Sequence, residues 1–569
     1  GLMAKLRRNY ARVLSKLLQF QPHVICIYIL VTVMGFAVTI PFLKTEIFPT
    51  GNPKSFQMRL KAPTGTRIEV TEAITKKALD LISRTVGAKN VDVSICYVGT
   101  QPPNFGISNV YIWTSGPQEA ILLVALKPHV KINMEELKES LRRKLNIALP
   151  EIAFAFEAGD IVTQIMNLGA PAPIQIDIMG SNLSKDLEYA NKISAELKRI
   201  PELRDIGIVQ PLEYPTVNIQ VDRARAAQLG LTTTDISKSL VPALYSSRFI
   251  KQIWWRVPNQ GLSYQVQVQY PAQKMESLQD VETVPIQSEE GVVPYVRDVA
   301  KVNFGTMVGE YDRYNLQRML SITANVAGGD LGKAARDVRA ALSRLQDPPR
   351  GITVAVRGQI PTMDSTFSSL AIGLILAIVA ILLMLVGYFQ RLRLALVVVS
   401  VIPAILTGVA ISIQLTGISL NVQSFMGAIM AIGIGVANAI LIVSFSETRR
   451  LAGESANLAA KEGAISRLRP VLMTSIAMIA GMIPMALGVA EGGERTAPLG
   501  IAVIGGLVSS MVAVLVVLPV MYTLLQTKAS RVSCAMLPED EIKTPQPASI
   551  HDEHIHQNRN LKDPGAGIG

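Results

Sequence analysis

The long apolar runs of this 569-residue sequence lack charge, because none of them carries Asp, Glu, Lys, Arg or His in its middle. Each run has about 20 apolar residues, which is enough for a helix to cross the hydrocarbon core of a bilayer. A membrane machine that is driven by ion flow needs an ionisable group within the membrane. The uncharged runs therefore predict that this chain is only one part of such a machine.

Cysteine is also scarce: Cys26 lies in the first apolar run, Cys96 in the long middle segment and Cys534 near the end. Cys96 has no second cysteine in its own segment, so that segment must be stabilised by a hydrophobic core. The sequence lacks a phosphate loop (Gly-x4-Gly-Lys-Ser/Thr), zinc-ligand spacing and a nucleophile–base arrangement. These absences argue against an isolated enzyme and against ATP hydrolysis. They leave an ion gradient as the energy source, with no cofactor and no bound metal.

The apolar runs have an uneven layout along the chain. One lies within residues 22–46 and five lie within residues 361–527, with a long segment of ordinary soluble character between them. Basic residues gather before the first run and in alternate connections after it, and the positive-inside rule makes those connections cytoplasmic. This accounts for the net charge of +11 without nucleic-acid binding. We expect a multi-pass protein of a bacterial inner membrane with its middle segment in the periplasm.

The two ends of the chain differ in character from the apolar runs. Residues 1–21 combine a basic face with an apolar stripe, which predicts an amphipathic helix on the cytoplasmic membrane surface. The sequence opens at Gly1 without a signal peptide, so we expect a fragment or processed piece whose first run is a true anchor. Residues 528–569 are polar and contain proline and glycine, and they predict a disordered cytoplasmic tail.

The middle segment predicts a mixed α+β fold. Alternating residues at 173–179 indicate a strand, and residues 183–200 have the period of an amphipathic helix. The strand–helix–strand pattern occurs twice, which predicts two sandwich subdomains in series, the second interrupted by an insertion. Their expected bounds are 47–170 for the first, 171–222 with 306–360 for the second, and 223–305 for the insertion. Within the insertion, residues 283–287 and 292–296 indicate a β-hairpin.

Motifs in the last three apolar runs point to a known family. The fourth run reads MAIGIGVANAILIVSF at 430–445, the fifth opens with RLRPVLMTS at 467–475, and the sixth contains GGLVSS at 505–510. Together they resemble the C-terminal half of a resistance-nodulation-division (RND) efflux transporter of the hydrophobe/amphiphile, or multidrug, type. Residues 221–231 and 293–300 resemble the joints at which that family inserts its docking subdomain.

This resemblance covers about residues 1–527 and implies how the protein works. The two sandwiches would be porter subdomains, 223–305 the docking subdomain, and the N-terminal half of the transporter the missing partner. The family implies a homotrimer that works with a periplasmic adaptor and an outer-membrane channel, in contact with membrane lipid. It exports small amphiphilic compounds in exchange for inward-moving protons. Whether Na⁺ replaces H⁺ stays open, as does the alternative of a standalone six-span scaffold subunit that pairs with another half.

The resemblance also indicates proton-relay candidates. In the family, acidic residues of the N-terminal half take up the proton. The span that matches the fourth run usually carries a Lys as their counter-charge, and at that position this chain has Ala437. Asn438 could hydrogen-bond such an acid without neutralising it, while Arg467 and Thr474 occupy family relay positions. Each residue also has a purely structural alternative: an interhelical hydrogen bond for Asn438, a positive-inside anchor for Arg467 and a bond within its own helix for Thr474.

A long connection between Cys96 and Glu119 holds candidates for a substrate path. It contains Phe105, Tyr111 and Trp113, and the comparable loop of RND drug exporters separates two substrate pockets. We expect these aromatic side chains to line a path for apolar substrates, although they could instead be strand residues that face a core. Metal export is not indicated, because the methionines of this segment are too dispersed: Met58, Met134, Met166 and Met179.

Small residues give the fourth apolar run a thin face. Glycines stand at positions 427, 433 and 435, with alanines between them. Close packing of membrane helices favours such residues, because a small side chain lets two backbones approach. The sequence therefore predicts close helix contacts along this run, whether or not they serve transport.

Overall fold

The computed structural model describes residues 2–49, 53–100, 113–130, 132–159, 161–287, 293–488 and 492–527. Within these residues, six helices are long and apolar enough to cross a membrane. We call them the first to sixth spans: Gln21–Phe42, Gln359–Phe389, Leu392–Thr416, Val422–Leu451, Ala456–Ala486 and Ala497–Gln526. An N-terminal helix, Leu2–Leu17, precedes them. The predicted tail at 528–569 lies outside the described residues.

The third, fourth and sixth spans form the centre of the bundle. Their most apolar stretches are 56%, 50% and 61% buried, against 11%, 6% and 17% for the first, second and fifth spans. Two of the central spans are interrupted: the third is built from Leu392–Val399 and Ile402–Thr416, and the sixth has a π-helical turn at Ala513–Val517. The fourth begins at a capping box, in which Asn421 and Ser424 each accept the other's backbone N–H.

The first sandwich contains an antiparallel sheet in the order β2-β3-β1-β4. Two helices, Ile68–Val86 and Met134–Ala148, pack on one face of the sheet and bury an apolar core that includes Met58 and Leu141. The sequence prediction for this part of the chain was a strand–helix–strand sandwich at residues 47–170. The strands are β1 (Ser55–Lys61), β2 (Val91–Val98), β3 (Glu119–Leu126) and β4 (Ala153–Glu157).

The second sandwich repeats this arrangement with a five-stranded sheet. Its helices, Leu183–Leu197 and Leu331–Arg344, cover one face, and a short helix, Ile161–Met166, precedes it. The strand order is β11-β12-β5-β13, with β6 also paired to β12. The strands are β5 (Ile174–Met179), β6 (Leu203–Ile208), β11 (Asp312–Tyr314), β12 (Gln317–Val326) and β13 (Thr353–Gly358).

The insertion is held at its base by β7 (Tyr214–Val221) and β10 (Ala300–Met307), which pair antiparallel. The hairpin predicted at 283–287 and 292–296 is reduced to one bridge between Pro285 and Tyr295, because the chain turns into a helix at Val296, and its turn lies outside the described residues. A different hairpin pairs β8 (Ile253–Arg256) with β9 (Ser263–Val266). The helices of the insertion are Arg223–Gln228, Thr233–Leu244, Leu278–Glu282 and Val296–Val299.

The second sandwich runs directly into the membrane helices. Strand β13 ends at Gly358, and the second span begins at the next residue. Gly358 has a φ of +77°, and a Cβ there would lie 2.4 Å from the carbonyl oxygen of Pro173. Only glycine combines that backbone conformation with so close an approach. Ile360 and Met363 of the span are buried in the core of the second sandwich, so sheet and span are mechanically joined.

Candidate functional site

Two of the predicted relay residues meet between the fourth and fifth spans. The Thr474 hydroxyl lies 3.4 Å from Asn438 Oδ1, and it also lies 3.1 Å from the carbonyl oxygens of Pro470 and Val471 in its own helix. The Asn438 side chain is buried, whereas Thr474 is exposed. The hydroxyl proton can be shared between its own helix and the amide oxygen, so the pair is a weak polar link that a stronger acceptor could displace.

The surface around this pair is open. Ala437, which occupies the position where the resemblance leads one to expect Lys, is exposed on the fourth span. Gly433, one turn earlier, has no heavy atom within 4 Å of the position that a Cβ would take. Met430 and Ile476 on the same two spans are also exposed. Asn438 and Thr474 therefore lie at the edge of an apolar face that the described residues leave uncovered.

The glycines of the predicted thin face of the fourth span point to two different sides of the helix. A Cβ at Gly427 would lie 2.8 Å from the Cβ of Ala502, and one at Gly435 would lie 2.5 Å from the Ser510 hydroxyl oxygen. These two glycines therefore let the fourth span approach the sixth, whereas Gly433 faces the uncovered surface. The side of the fourth span that packs against the sixth span is therefore opposite the side that is left uncovered.

Arg467 does not contact the polar pair. It lies seven residues before Thr474 on the same helix, which is two turns or about 10 Å along the axis. Its guanidinium carbon is 5.5 Å from the centre of the Phe445 ring, and its buried Nε has no hydrogen-bond partner within the described residues. The geometry thus joins Asn438 with Thr474 and leaves Arg467 as a separate cation in the N-terminal half of the fifth span.

A buried ion-pair cluster near the C-terminal end of the fourth span was not predicted. Arg450 donates to both oxygens of Glu447 at 3.0 and 2.7 Å, and the Tyr522 hydroxyl donates to Glu447 Oε2 at 2.7 Å. Arg391, which precedes the third span, lies 3.4 Å from Glu447 Oε1. The spacing of Glu447 and Arg450 is a local signal for a helical ion pair, but nothing local indicates Tyr522. This cluster fastens three spans together.

The middle segment has a second group of interest where its two sandwiches meet. The Trp113 indole Nε1 donates to Glu310 Oε1 at 2.8 Å across 197 residues of sequence, and Lys61 Nζ donates to the Val209 carbonyl oxygen at 2.9 Å. Trp113 is half exposed, so it does not face a core. Of the three predicted substrate-path residues, only Trp113 can be placed, because Phe105 and Tyr111 lie outside the described residues.

Charged side chains line the first sheet beside Trp113. Arg59 Nε donates to Glu157 Oε1 at 2.5 Å, and Arg59 Nη1 donates to the Trp113 carbonyl oxygen at 2.7 Å. Glu119 lies 3.3 Å from both Arg59 and Lys61. These residues occupy the sheet face that the two helices leave uncovered. Sequence reasoning did not name these charged residues, because their ion pairs join strands that are far apart along the chain.

Two carboxyl groups of this region have shifted pKa values in opposite directions. Burial would raise the pKa of Glu119, but Lys61, Ser115 and Arg59 together hold it below its usual range. Burial raises the pKa of Glu310, and the nearby Asp312 carboxylate raises it further. The site therefore contains one carboxyl group that favours the ionised form, Glu119, and one that holds its proton more readily, Glu310.

The methionines considered for metal export do not converge. Met58 is fully buried in the core of the first sandwich, and Met134 is 2% exposed in the same core. Met179 lies at the end of β5 in the other sandwich. Among the residues that the structure describes, no three His, Cys, Asp or Glu side chains come together in a metal-binding group.

Comparison with known proteins decides the family. Residues 1–526 match the family model described as the AcrB/AcrD/AcrF family, which is nearly the whole chain. The chain belongs to this family of RND efflux transporters. Members of the AcrB/AcrD/AcrF family are secondary transporters rather than catalytic enzymes, and the six apolar helices agree with a multi-pass inner-membrane protein.

Named relatives of the family include proteins of metal resistance. The nickel and cobalt resistance protein CnrA of Cupriavidus metallidurans is 26% identical over 503 residues, covering 86% of this chain and 45% of CnrA. Protein HelA of Legionella pneumophila is 25% identical over 564 residues, covering 95% of this chain and 51% of HelA. The chain thus spans about half the length of these curated relatives.

A solved structure supports the fold. The crystal structure of a heavy metal efflux pump superposes with a TM-score of 0.81 and 23% identity, covering 93% of this chain and 53% of the pump. At this identity the likeness concerns the fold alone. It agrees with the predicted class of apolar helices joined to a mixed α+β body.

Proposed function

We propose that this chain is the C-terminal half of a proton-driven RND efflux pump in a bacterial inner membrane. The partner would be the N-terminal half, and the pump a trimer that works with a periplasmic adaptor and an outer-membrane channel. The middle segment would then lie in the periplasm, with the two sandwiches as porter subdomains and the insertion as docking subdomain. Family membership and the half-length coverage of CnrA and HelA support this proposal.

The observation that carries the proposal is the polar pair at the uncovered face. Asn438 and Thr474 lie beside exposed Ala437 and Gly433, where a helix of a partner could approach closely. A carboxyl group on that helix could accept a hydrogen bond from the Asn438 amide without meeting a cation. Its proton would then be held by burial. One proton that crosses 100 mV supplies about 2.3 kcal/mol for export.

For the cargo, we favour small amphiphilic compounds. Trp113 offers an exposed aromatic surface next to the charged groups of Arg59 and Glu310, which suits a molecule with an apolar part and a polar end. Met58 and Met134 are buried in a core and could not ligate a metal ion without opening it.

A heavy-metal cation is the second candidate cargo. The support for it is the printed names of CnrA and of the superposed pump. Glu310 and Asp312 are carboxylates near Trp113 that would attract a cation, although carboxylates alone suit Mg²⁺, Ca²⁺ and Mn²⁺ better than Ni²⁺ or Zn²⁺, for which imidazole is the more typical ligand.

The test is transport by this chain combined with the N-terminal half of a family member. The two halves are co-expressed, and native mass spectrometry shows whether three copies of each assemble. Proteoliposomes with an imposed pH gradient then report efflux of a fluorescent amphiphile or of Co²⁺ and Zn²⁺. We expect assembly, amphiphile efflux that collapses with the gradient, and at least about a tenfold slower rate in Asn438→Ala. Thr448→Val is the control, since within the described residues that hydroxyl bonds only to the Ser444 carbonyl oxygen of its own helix.

Three other results would redirect the proposal. Metal efflux without amphiphile efflux would replace the cargo class and keep the mechanism. Efflux that is unaffected by Asn438→Ala would remove the polar pair from the relay. A stable oligomer of this chain alone, indifferent to the other half and inactive, would favour the standalone scaffold.

A further inference from the structure

The outward face of the N-terminal helix carries a stripe of cations. Lys5, Arg8, Arg12 and Lys16 follow the i, i+3, i+4 spacing of one helix face, and all four are exposed. Residues 2–17 contain no acidic side chain, and none of these four cations makes a salt bridge within the described residues. This cationic stripe, as we call the four residues, has no counter-charge in the described part of the chain.

Apolar side chains border the cationic stripe. Leu6 and Val13 are 45% and 54% exposed, and the spacing places them on one flank of the stripe. Phe20, between the helix and the first span, is also exposed. A helix with exposed apolar residues beside cations lies in the interface of a bilayer, where aliphatic groups enter the acyl region and the cations reach the headgroups.

The opposite face of the same helix is anchored in the membrane bundle. Leu14 and Leu18 are almost fully buried in a core formed with the spans. The Tyr10 hydroxyl donates to the carbonyl oxygen of Leu515 at 2.7 Å. The position of the helix is therefore coupled to the sixth span through both apolar packing and a hydrogen bond.

Leu515 lies in the π-helical turn of the sixth span. This turn, Ala513–Val517, interrupts the regular hydrogen-bond ladder of a helix that is otherwise central and buried. π-helical turns are rare and are found often at functional positions, and each carbonyl around them must find a donor. Tyr10 supplies such a donor from outside the span.

We propose that the cationic stripe binds anionic phospholipid headgroups of the cytoplasmic leaflet, and that this binding holds Tyr10 on the π-helical turn. The helix is followed by the first span after three residues, so it is fixed at the membrane boundary and its charge faces that surface. Lys and Arg next to an anionic leaflet are each attracted to it, and four on one face add up. The sixth span would thus respond to the lipid composition of the leaflet. This inference does not depend on the cargo or on proton coupling.

The first measurement is lipid retention by the full chain. Native mass spectrometry of protein from mixed phosphatidylcholine and phosphatidylglycerol nanodiscs counts the retained lipids. We expect the quadruple variant K5Q/R8Q/R12Q/K16Q to retain phosphatidylglycerol at least about tenfold less tightly than the parent chain. The matched control is K76Q/K77Q/R84Q/K89Q, which removes the same charge from the exposed surface of the first sandwich and should bind normally.

The second measurement is hydrogen exchange at residues 513–517. Exchange should slow in the parent chain when phosphatidylglycerol replaces part of the phosphatidylcholine. The Tyr10→Phe variant should retain phosphatidylglycerol normally. Its amide hydrogens at 513–517 should exchange faster than those of the parent chain, and their exchange rate should not change with phosphatidylglycerol. This separates lipid binding from its transmission to the sixth span.

Several outcomes would overturn the inference. Equal lipid retention by the quadruple variant and its control would show that the stripe binds no lipid. If hydrogen exchange at 513–517 of the parent chain does not change with phosphatidylglycerol, lipid binding is not coupled to the sixth span. The last outcome concerns a chain that ends at Thr527. If it retains far more phosphatidylglycerol than the full chain, the cationic stripe of the full chain pairs with Glu539, Asp540 and Glu541 of the tail instead of with lipid.

Discussion

The Tyr522 hydroxyl donates to Glu447 Oε2 at 2.7 Å and thereby joins the sixth span to the fourth. Glu447 also accepts two hydrogen bonds from Arg450, whose side chain is only 3% exposed. A carboxylate at this depth is stable only because every oxygen has a donor. The cluster therefore specifies how the central spans meet at this end of the bundle.

Removing the charge of this cluster should destabilise the bundle. Glu447→Gln leaves Arg450 buried without its counter-charge, and we expect a loss of about 3 kcal/mol in unfolding free energy. Tyr522→Phe removes one hydrogen bond to a charged group and should lose about 2 kcal/mol. Thermal unfolding in detergent checks both. The control is Glu454→Gln, because the Arg449–Glu454 pair is more exposed and should change little. Equal losses in all three variants would contradict this account.

The two shifted carboxyl groups of the middle segment should give opposite pH dependences. The folded-state pKa of Glu119 is held below its unfolded value, so its ionised form stabilises the fold above about pH 4.3. That stabilisation is lost as the pH falls through the folded-state pKa. Glu119→Gln should therefore be about 2 kcal/mol less stable than the parent at neutral pH, with a difference that shrinks in acid.

Glu310 should behave in the reverse way. Its folded-state pKa is raised, so its contribution is fully present below the unfolded pKa and is lost as the pH rises through the folded pKa. Glu310→Gln still accepts a hydrogen bond from Trp113 but cannot ionise. As the pH rises through the folded-state pKa, the unfolding free energy of this variant should therefore fall less than that of the parent chain. All three tryptophans lie in the middle segment, so their fluorescence follows its unfolding. Differences of the same sign for both variants would contradict the assigned shifts.

Sequence patterns predicted those elements whose side chains alternate between core and solvent. The alternating residues at 173–179 predicted strand β5, which spans Ile174–Met179. Strand β2 was given no bounds, because it is an edge strand with Val93 and Ile95 exposed and shows no contrast between two faces. Strand β6 was missed for a related reason, since most of its residues are only partly buried.

The candidate sites were predictable only in part, since their contacts join distant segments. Asn438 and Thr474 were named from motifs, yet their contact across 36 residues depends on how two spans pack. The bond from Trp113 to Glu310 and that from Tyr10 to Leu515 leave no local signal in the sequence. A residue type can be read from a motif, whereas a partner far along the chain requires the packed structure.

Gly408 should be intolerant of added volume where the third and sixth spans cross. A Cβ at Gly408 would lie 2.0 Å from the Ser509 hydroxyl oxygen and 2.6 Å from the Gly505 carbonyl oxygen. Gly408→Ala should therefore separate the helices and lower the unfolding free energy by about 1–3 kcal/mol. The measurement is thermal unfolding in detergent.

Gly433→Ala is the matched control, because that position is open in the chain alone. It should be neutral or slightly stabilising in the isolated chain, since alanine favours a helix. In the pump assembled from both halves it should slow transport if the partner packs on this face. Equal destabilisation by the two alanines in the isolated chain would contradict the close approach of the third and sixth spans.

The pair of Arg142 and Asp205 should hold the two sandwiches together more firmly than the contact at Trp113. Arg142 donates through Nε and Nη2 to the two carboxylate oxygens at 2.9 and 2.7 Å, and Asp205 also accepts from the amide of Asn325 and the backbone N–H of Phe156. Lysine cannot make the two parallel bonds. Arg142→Lys should therefore lose about 1–2 kcal/mol in unfolding free energy.

The adjacent, exposed Arg143 provides the control for that change. Arg143→Lys should leave unfolding unchanged, and Trp113→Phe, which removes a single bond at a half-exposed site, should lose less than Arg142→Lys. Fluorescence-detected unfolding measures the two arginine variants, and circular dichroism measures the tryptophan variant. A larger loss for Trp113→Phe would reverse the assignment, making the Trp113 contact the stronger tie between the sandwiches and the Arg142 pair the weaker one.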